Sequence, residues 1–365
     1  MKRHLLLIIA ILGLAHDVFC KGIEPGYYHL KGKIDGKYAI TMDLTISYWS
    51  NRGILASGYY SYDAYQNPIK IYQWYFQWDS RSLKDSLVLH TDTHEIFSGG
   101  LSGDFFTGMW SQTRDDDKTI LKRYSFELER DTIDAISLRQ SLYLDSVSVL
   151  DREKHTIYRA YYASSFLYDV DTPSDVQRGL LKFYQGRSEA ELEHYMRAKA
   201  VNQFHDFKKI VNSGNWSSYG FYDWHEDYTI NVLFNDSNIL SLEQINTINQ
   251  DYSHGITLCT FGCYSVLDKR LIRINDIISP KDSSILIGLW IKYMRKIDWL
   301  RPQIAEKAED WYQPLRLPDQ FIVTPKGIAL IYPSAGVPTG TIWTPVFIPF
   351  ADLGSHLKKQ PWMQL

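Results

Sequence analysis

From Gly26 to Glu129 the chain is written in short alternating segments divided by turn signals. "KYAITMDLTISYW" alternates apolar and polar residues, Asn51-Arg52-Gly53 interrupts it, and "ASGYYSYDAY" follows. Asn67-Pro68 then precedes "IKIYQWYFQW", and "SLVLHTDTHEIF", "GDFFTGMWSQ" and "KRYSFELE" complete the series, the last after the charged run Asp115-Asp116-Asp117-Lys118. A period of two over many short stretches places successive side chains on opposite faces of a sheet. At this spacing the expectation is an antiparallel β sandwich or rolled sheet over residues 21–130, with no long helix.

The pattern changes near Asp131. "KHTIYRAYYASSFLY" reads as a strand, and Thr172-Pro173 opens a helix to about Tyr184, with Pro in the first turn where its missing N–H is harmless. After Gly186 comes a longer amphipathic helix, "SEAELEHYMRAKAVNQFHDFKKIV", capped by Ser188, with Leu192, Tyr195, Met196 and Lys199 on neighbouring turns. Strands resume in "DYTINVLFND", "ILSLEQINTINQDY", "GITLCTFGCYSVLD" and "RLIRINDII". A helix over about 282–299 separates them from a closing hairpin whose strands flank the Pro/Gly-rich "YPSAGVPTG". Residues 131–365 are therefore expected to form an α+β domain with an antiparallel sheet and a long C-terminal β-hairpin.

Other features bound location and partners. Lys2, Arg3 and His4 precede the apolar run Leu5–Leu14, too short to cross a bilayer, so residues 1–20 read as a secretory signal peptide with Lys21 first in the mature chain. Cys20 as a lipid-bearing N-terminus is the alternative; bulky Phe19 sits where such a site wants a small residue. An exported protein, periplasmic or extracellular and without a later transmembrane stretch, is the expectation. The formal net charge of −3 supplies no basic field for phosphates, which argues against a nucleic-acid partner. Cys259 and Cys263 would lie about 13 Å apart on an extended strand, beyond bridging distance.

The second half resembles a bacterial family: the extracytoplasmic domain of unknown function shared by RsiV-type anti-sigma factors and PdaC-type peptidoglycan deacetylases. The resemblance runs in order through "ILSL" (Ile239–Leu242), the "DYSHG" turn (Asp251–Gly255), "VLDKRLIRINDII", and the closing "DQFIVTPKGIALIYPSAGVPTGTIWTPVFIPFADL". The family's Gly doublet and Ala ahead of His254 are absent, and the loop after Tyr332-Pro333 is shortened. The first half resembles a Bacteroidetes-like secreted β module through "IDGKYAITMDL", "GYYSY" and "GMW". The resemblance implies a non-enzymatic envelope binding or sensing module, whose partner is a wall component or a protein such as a lysozyme. It implies His254 and Tyr332 as ligand-binding positions and no cofactor.

Candidate chemistry is sparse. The chain has no G-x-S-x-G, P-loop, G-x-G-x-x-G, H-E-x-x-H or C-x-x-C. His90, Asp92 and His94 are spaced to share one strand face and could ligate a metal; a solvated strand face is the competing reading. Tyr72, Trp74, Phe76 and Trp78 also share a face, either as a sugar- or protein-binding platform built on Trp74 and Trp78, or as sheet core. His225, Glu226 and Asp227 in "YDWHEDY" are the place a glycan hydrolase or lyase would draw acid–base groups from. A structural envelope lipoprotein is the third alternative.

Overall fold

The computed structural model describes residues 23–48, 54–73, 86–114, 119–151, 156–169, 187–212, 223–249, 256–296, 317–318, 320–331 and 345–364. The chain divides into two compact units. The first runs to Tyr60 and from Ile69 to Asp131; the second comprises Thr132–Leu365 together with the segment Ser61–Pro68.

Eight strands build the first unit: β1 (Gly26–Ile34), β2 (Tyr38–Tyr48), β3 (Ile54–Tyr62), β4 (Ile69–Tyr72), β5 (Leu87–Thr91), β6 (Glu95–Ser102), β7 (Phe105–Thr113) and β8 (Ile120–Arg130). They follow one another in order and close into a barrel, β8 returning antiparallel to β1 with Gly32 opposite Leu128 and Ile34 opposite Phe126. Alternate residues fill the interior. Leu30 and Ile34 of β1 and Ile40, Met42, Leu44 and Ile46 of β2 are buried, as are Tyr60, Leu89, Phe97, Phe106, Phe126 and Leu128. Phe97 and Phe106 both meet the Phe126 ring edge-on, at 5.3 and 4.8 Å between centroids. An eight-stranded barrel is just wide enough for side chains to fill it in this way. The β1–β2 turn places Asp35 and Gly36 at positive φ, the handedness that Asp-Gly accommodates.

The second unit holds a six-stranded sheet in the order β14-β13-β12-β11-β10-β9. Its strands are β9 (Leu138–Asp151), β10 (Thr156–Asp169), β11 (Asp223–Asn235), β12 (Ile239–Asn249), β13 (Ile256–Ser265) and β14 (Arg270–Leu271). All neighbours are antiparallel except β10 and β11, which run parallel. Helix α1 (Glu189–Asn212) lies in the crossover between those two and packs on β9 and β10, where Tyr162 Oη contacts Met196 Sδ at 2.6 Å. Two shorter helices, α2 (Ile274–Ile277) and α3 (Ser283–Met294), precede a three-stranded sheet of β15 (Phe321–Thr324), β16 (Gly327–Leu330) and β17 (Val346–Pro349). Leu286 and Trp290 of α3 join Ile239, Val323, Ile328, Ile348 and Phe350 in one core. Ser241 Oγ ties the two sheets together by donating to Val323 O at 2.7 Å.

This architecture overturns the expected sandwich followed by an α+β domain. Among the described residues the chain is mostly β: the first sheet closes on itself instead of splitting into two layers, and the described part of the second unit is dominated by strands with few helices. The long terminal hairpin is also divided. Pro325 and Lys326 turn β15 into β16, so the stretch read as one strand makes two, and β17 completes a meander. "RLIRINDII" yields only the two residues of β14 before α2 begins. The serine-rich β9 was not expected at all. The helix expected over residues 172–184 lies outside the described residues.

The α1 start is the one expected from the sequence. Ser188 Oγ accepts from Glu191 N at 3.4 Å, while the Glu191 carboxylate accepts from Ser188 N at 2.8 Å. This reciprocal capping box satisfies two donors that the first turn leaves over. Its hydrogen bonds to Ser188 hold the Glu191 carboxyl below its usual range. Ser188→Ala is expected to destabilise α1 by about 1 kcal/mol, read as faster amide exchange in its first two turns.

Candidate functional site

His90, Asp92 and His94 do not share a strand. His90 lies on β5 one residue before its end, Asp92 lies in the turn, and His94 has a φ of 58° immediately before β6. The turn is held by Thr91 Oγ1, which accepts from Thr93 N at 3.2 Å and Glu95 N at 2.9 Å. His94 O accepts from Thr113 N at 2.8 Å. The strand-face argument for a metal therefore fails at its first step, and among the described residues no cluster of His, Cys, Asp or Glu is disposed to hold one. Trp74, Trp78, His254 and Tyr332 lie outside the described residues. Glu226 and Asp227 are consecutive members of the regular β11 ladder, opposite Tyr162 and Ala163 of β10. Cys259 and Cys263 both lie on β13; burial pushes the Cys263 thiol up to about 11, which makes it a poor nucleophile.

Two buried polar groupings in the first unit were not anticipated. On β1 and β2, Asp43 Oδ1 lies 2.5 Å from Tyr27 Oη, which donates to it, and 2.7 Å from His29 Nδ1. Inside the barrel, Glu95 accepts from Tyr60 Oη and, at 3.1 Å, from Thr93 Oγ1. Burial raises the Glu95 carboxyl to about 7, so it is substantially protonated near neutral pH.

A concave site lies wholly in the second unit. It is a cleft of about 530 Å³, lined by the Ala64–Asn67 stretch, by Tyr293 and Lys296 at the end of α3, and by β17 with its flanking Pro345 and Ala351. Lys326 fixes one wall: its Nζ donates to Asp63 O at 2.8 Å and Ala64 O at 3.0 Å. That anchorage holds a turn in which Gln66 has a φ of 53° and Tyr65 is 71% exposed. The opposite wall is fixed by Asp352, which accepts from Tyr293 Oη at 2.9 Å and from Lys292 Nζ at 3.1 Å. The Lys292 ammonium holds the Asp352 carboxyl below the usual carboxylate range. Lys296 Nζ sits 4.3 Å from the Tyr293 ring centroid, a cation–π distance. Three rings, Tyr65, Tyr293 and Phe347, thus border the space together with the ammonium groups of Lys296 and Lys326, and no carboxylate is among the described lining residues.

The chain resembles two solved bacterial proteins. Both are DUF3298 proteins. One, a member of that family from Bacteroides fragilis, superposes with a TM-score of 0.45 at 15% identity, over 63% of this chain and 97% of its own. The other, a DUF3298 family protein from Pseudomonas aeruginosa PAO1, gives 0.39 at 13% identity, over 62% of this chain and 96% of its own. No family model matches the sequence, and no curated protein matches it. Among the described residues no helix is long and apolar enough to cross a membrane.

Proposed function

We propose that this is an exported, non-enzymatic recognition module of the cell envelope that binds a peptidoglycan fragment in the cleft of its second unit. The supporting observation is the lining: rings of Tyr65, Tyr293 and Phe347 around a volume of about 530 Å³, with Lys296 beside them. Aromatic faces stack on the C–H faces of sugar rings, and the volume lies within the range of small-ligand sites. The amides of Asn67 and Gln364 can accept and donate to hydroxyl and acetamido groups, and the Lys296 ammonium suits the carboxylate of a wall sugar or its peptide. Hydrolysis of a glycoside needs two opposed carboxyl groups, and the described lining offers none. The resemblance to the domain of RsiV and PdaC supports an envelope role, and names a lysozyme-type protein as the second candidate partner.

The test is co-sedimentation of the purified chain with insoluble peptidoglycan, with and without lysozyme. The wild type is expected to pellet in both conditions. A Tyr65→Ala, Tyr293→Ala variant with an unchanged circular dichroism spectrum is expected to bind at least tenfold more weakly. Pelleting only with lysozyme would transfer the reading to protein recognition. Loss of pelleting in a Trp74→Ala, Trp78→Ala variant alone would move the glycan site to that strand. No pelleting under any condition would overturn the proposal.

A further inference from the structure

Of the four described sheet edges in the second unit, β15 packs against the six-stranded sheet, and the other three are protected unequally. β14 ends its sheet with only two residues. β17 is four residues long and bracketed by Pro345 and Pro349, which offer no N–H to an incoming strand. β9 ends the other side of the six-stranded sheet with fourteen residues, and its pairing with β10 runs from Leu138 to Asp151 without a bulge. Its sequence, LRQSLYLDSVSVLD, contains no Pro, no Gly and no Lys. Among the described elements it packs appreciably only on β10 and α1. Long, regular edges without such devices are templates for another strand.

The strand is also complementary to itself. Consecutive pleats alternate faces, so two copies of β9 can pair antiparallel only about a residue, and each choice of residue fixes every opposition. Centring the twofold on Leu142 sets Arg139 opposite Asp145 of the other copy, twice by symmetry, with Leu142 opposite Leu142. Arg139 is exposed, and Leu144 on the same face as Leu142 is 46% exposed. Centring it on Asp145 would instead oppose two carboxylates. Opposite charges directly across a strand pair stabilise it, and like charges do the reverse.

We infer that the protein forms a twofold dimer by antiparallel pairing of β9 with β9 of a second copy, centred on Leu142. The two six-stranded sheets then join into one, with α1 of each copy on the same face. Such an isologous contact closes on itself and leaves no further edge at β9.

Sedimentation equilibrium of the purified chain from Lys21 onward, which contains every described residue, tests this. A mass near twice that of the chain is expected, and a monomer at micromolar concentration would overturn the inference. Arg139→Asp should raise the dissociation constant at least tenfold by opposing like charges, as should Asp145→Arg. The double exchange, Arg139→Asp with Asp145→Arg, should restore the wild-type value. Circular dichroism of each variant separates weakened pairing from misfolding. A dimer indifferent to the single exchanges, or not rescued by the double one, would refute β9 pairing in this register.

Discussion

Between pH 4.5 and 7 the wild-type protein should lose about 3 kcal/mol of stability that a Glu95→Gln variant does not lose. The Glu95 carboxyl is buried in the barrel, where desolvation raises it from an ordinary value of 4.5 to about 7. In the unfolded chain it titrates near the ordinary value. Over the interval between, the folded state holds a proton that the unfolded state has released, so rising pH favours unfolding. The contribution is complete below about pH 4.5, declines through the interval, and is gone above pH 7. Two and a half pKa units at about 1.4 kcal/mol each give the magnitude. Asp276 and Asp352, whose carboxyls are lowered, act with the opposite sign and only on further acidification, so they do not mask it. Gln keeps an oxygen to accept from Tyr60 and Thr93 and removes the proton. Urea denaturation of both proteins at pH 4.5, 5.5, 7 and 8 gives the comparison. Curves of stability against pH that remain parallel would show that Glu95 is not the group responsible.

Glu95 was within reach of sequence reasoning. In β6 it shares a face with Phe97, and Phe97 is in the barrel core. A carboxylate at an inward position of an alternating strand is the signal. The sequence conceals it because "LHTDTHEIF" carries neither Gly nor Pro at the turn that divides it into two strands. His94 takes the left-handed conformation instead. β9 escaped for a related reason: its alternation pairs Leu and Val with Ser and lacks the aromatic and β-branched density of the other strands. Strong local signals survived into the structure. β2 lies within the segment that announced it, β7 and β8 contain most or all of theirs and run slightly past them, and α1 begins at its capping box. Closure of the barrel did not, because a period of two says which side chains share a face and nothing about which strand neighbours which. The cleft was hidden more completely. Its rings come from positions 65, 293 and 347, which no spacing rule connects.

The barrel's closure nevertheless rests on residues visible in the sequence, and the largest loss of stability is expected from adding one methyl group at Gly32. That residue lies in the β1–β8 seam opposite Leu128. A Cβ there would fall 2.0 Å from Glu127 O and 2.8 Å from Leu128 Cα. Both atoms are backbone, fixed by the ladder that closes the barrel, so no side-chain rotation relieves the clash. Gly58 repeats the situation, its Cβ meeting Asp43 O at 2.0 Å. Glycine at these positions lets neighbouring backbones approach closely where the sheet bends. Gly32→Ala is therefore expected to cost about 4 kcal/mol, at the upper end for a point substitution. Gly36 is the control: its φ is +63°, but a Cβ there would meet nothing within 4 Å. Gly36→Ala should cost only the left-handed penalty, about 1 kcal/mol. The difference isolates close approach from backbone conformation, because the two sites lie four residues apart at one end of the barrel. Equal losses in urea denaturation would mean that the β1–β8 seam is looser than the Gly32 contacts require; a larger loss at Gly32, with faster amide exchange along β1 and β8, would identify that seam as the contact on which closure depends.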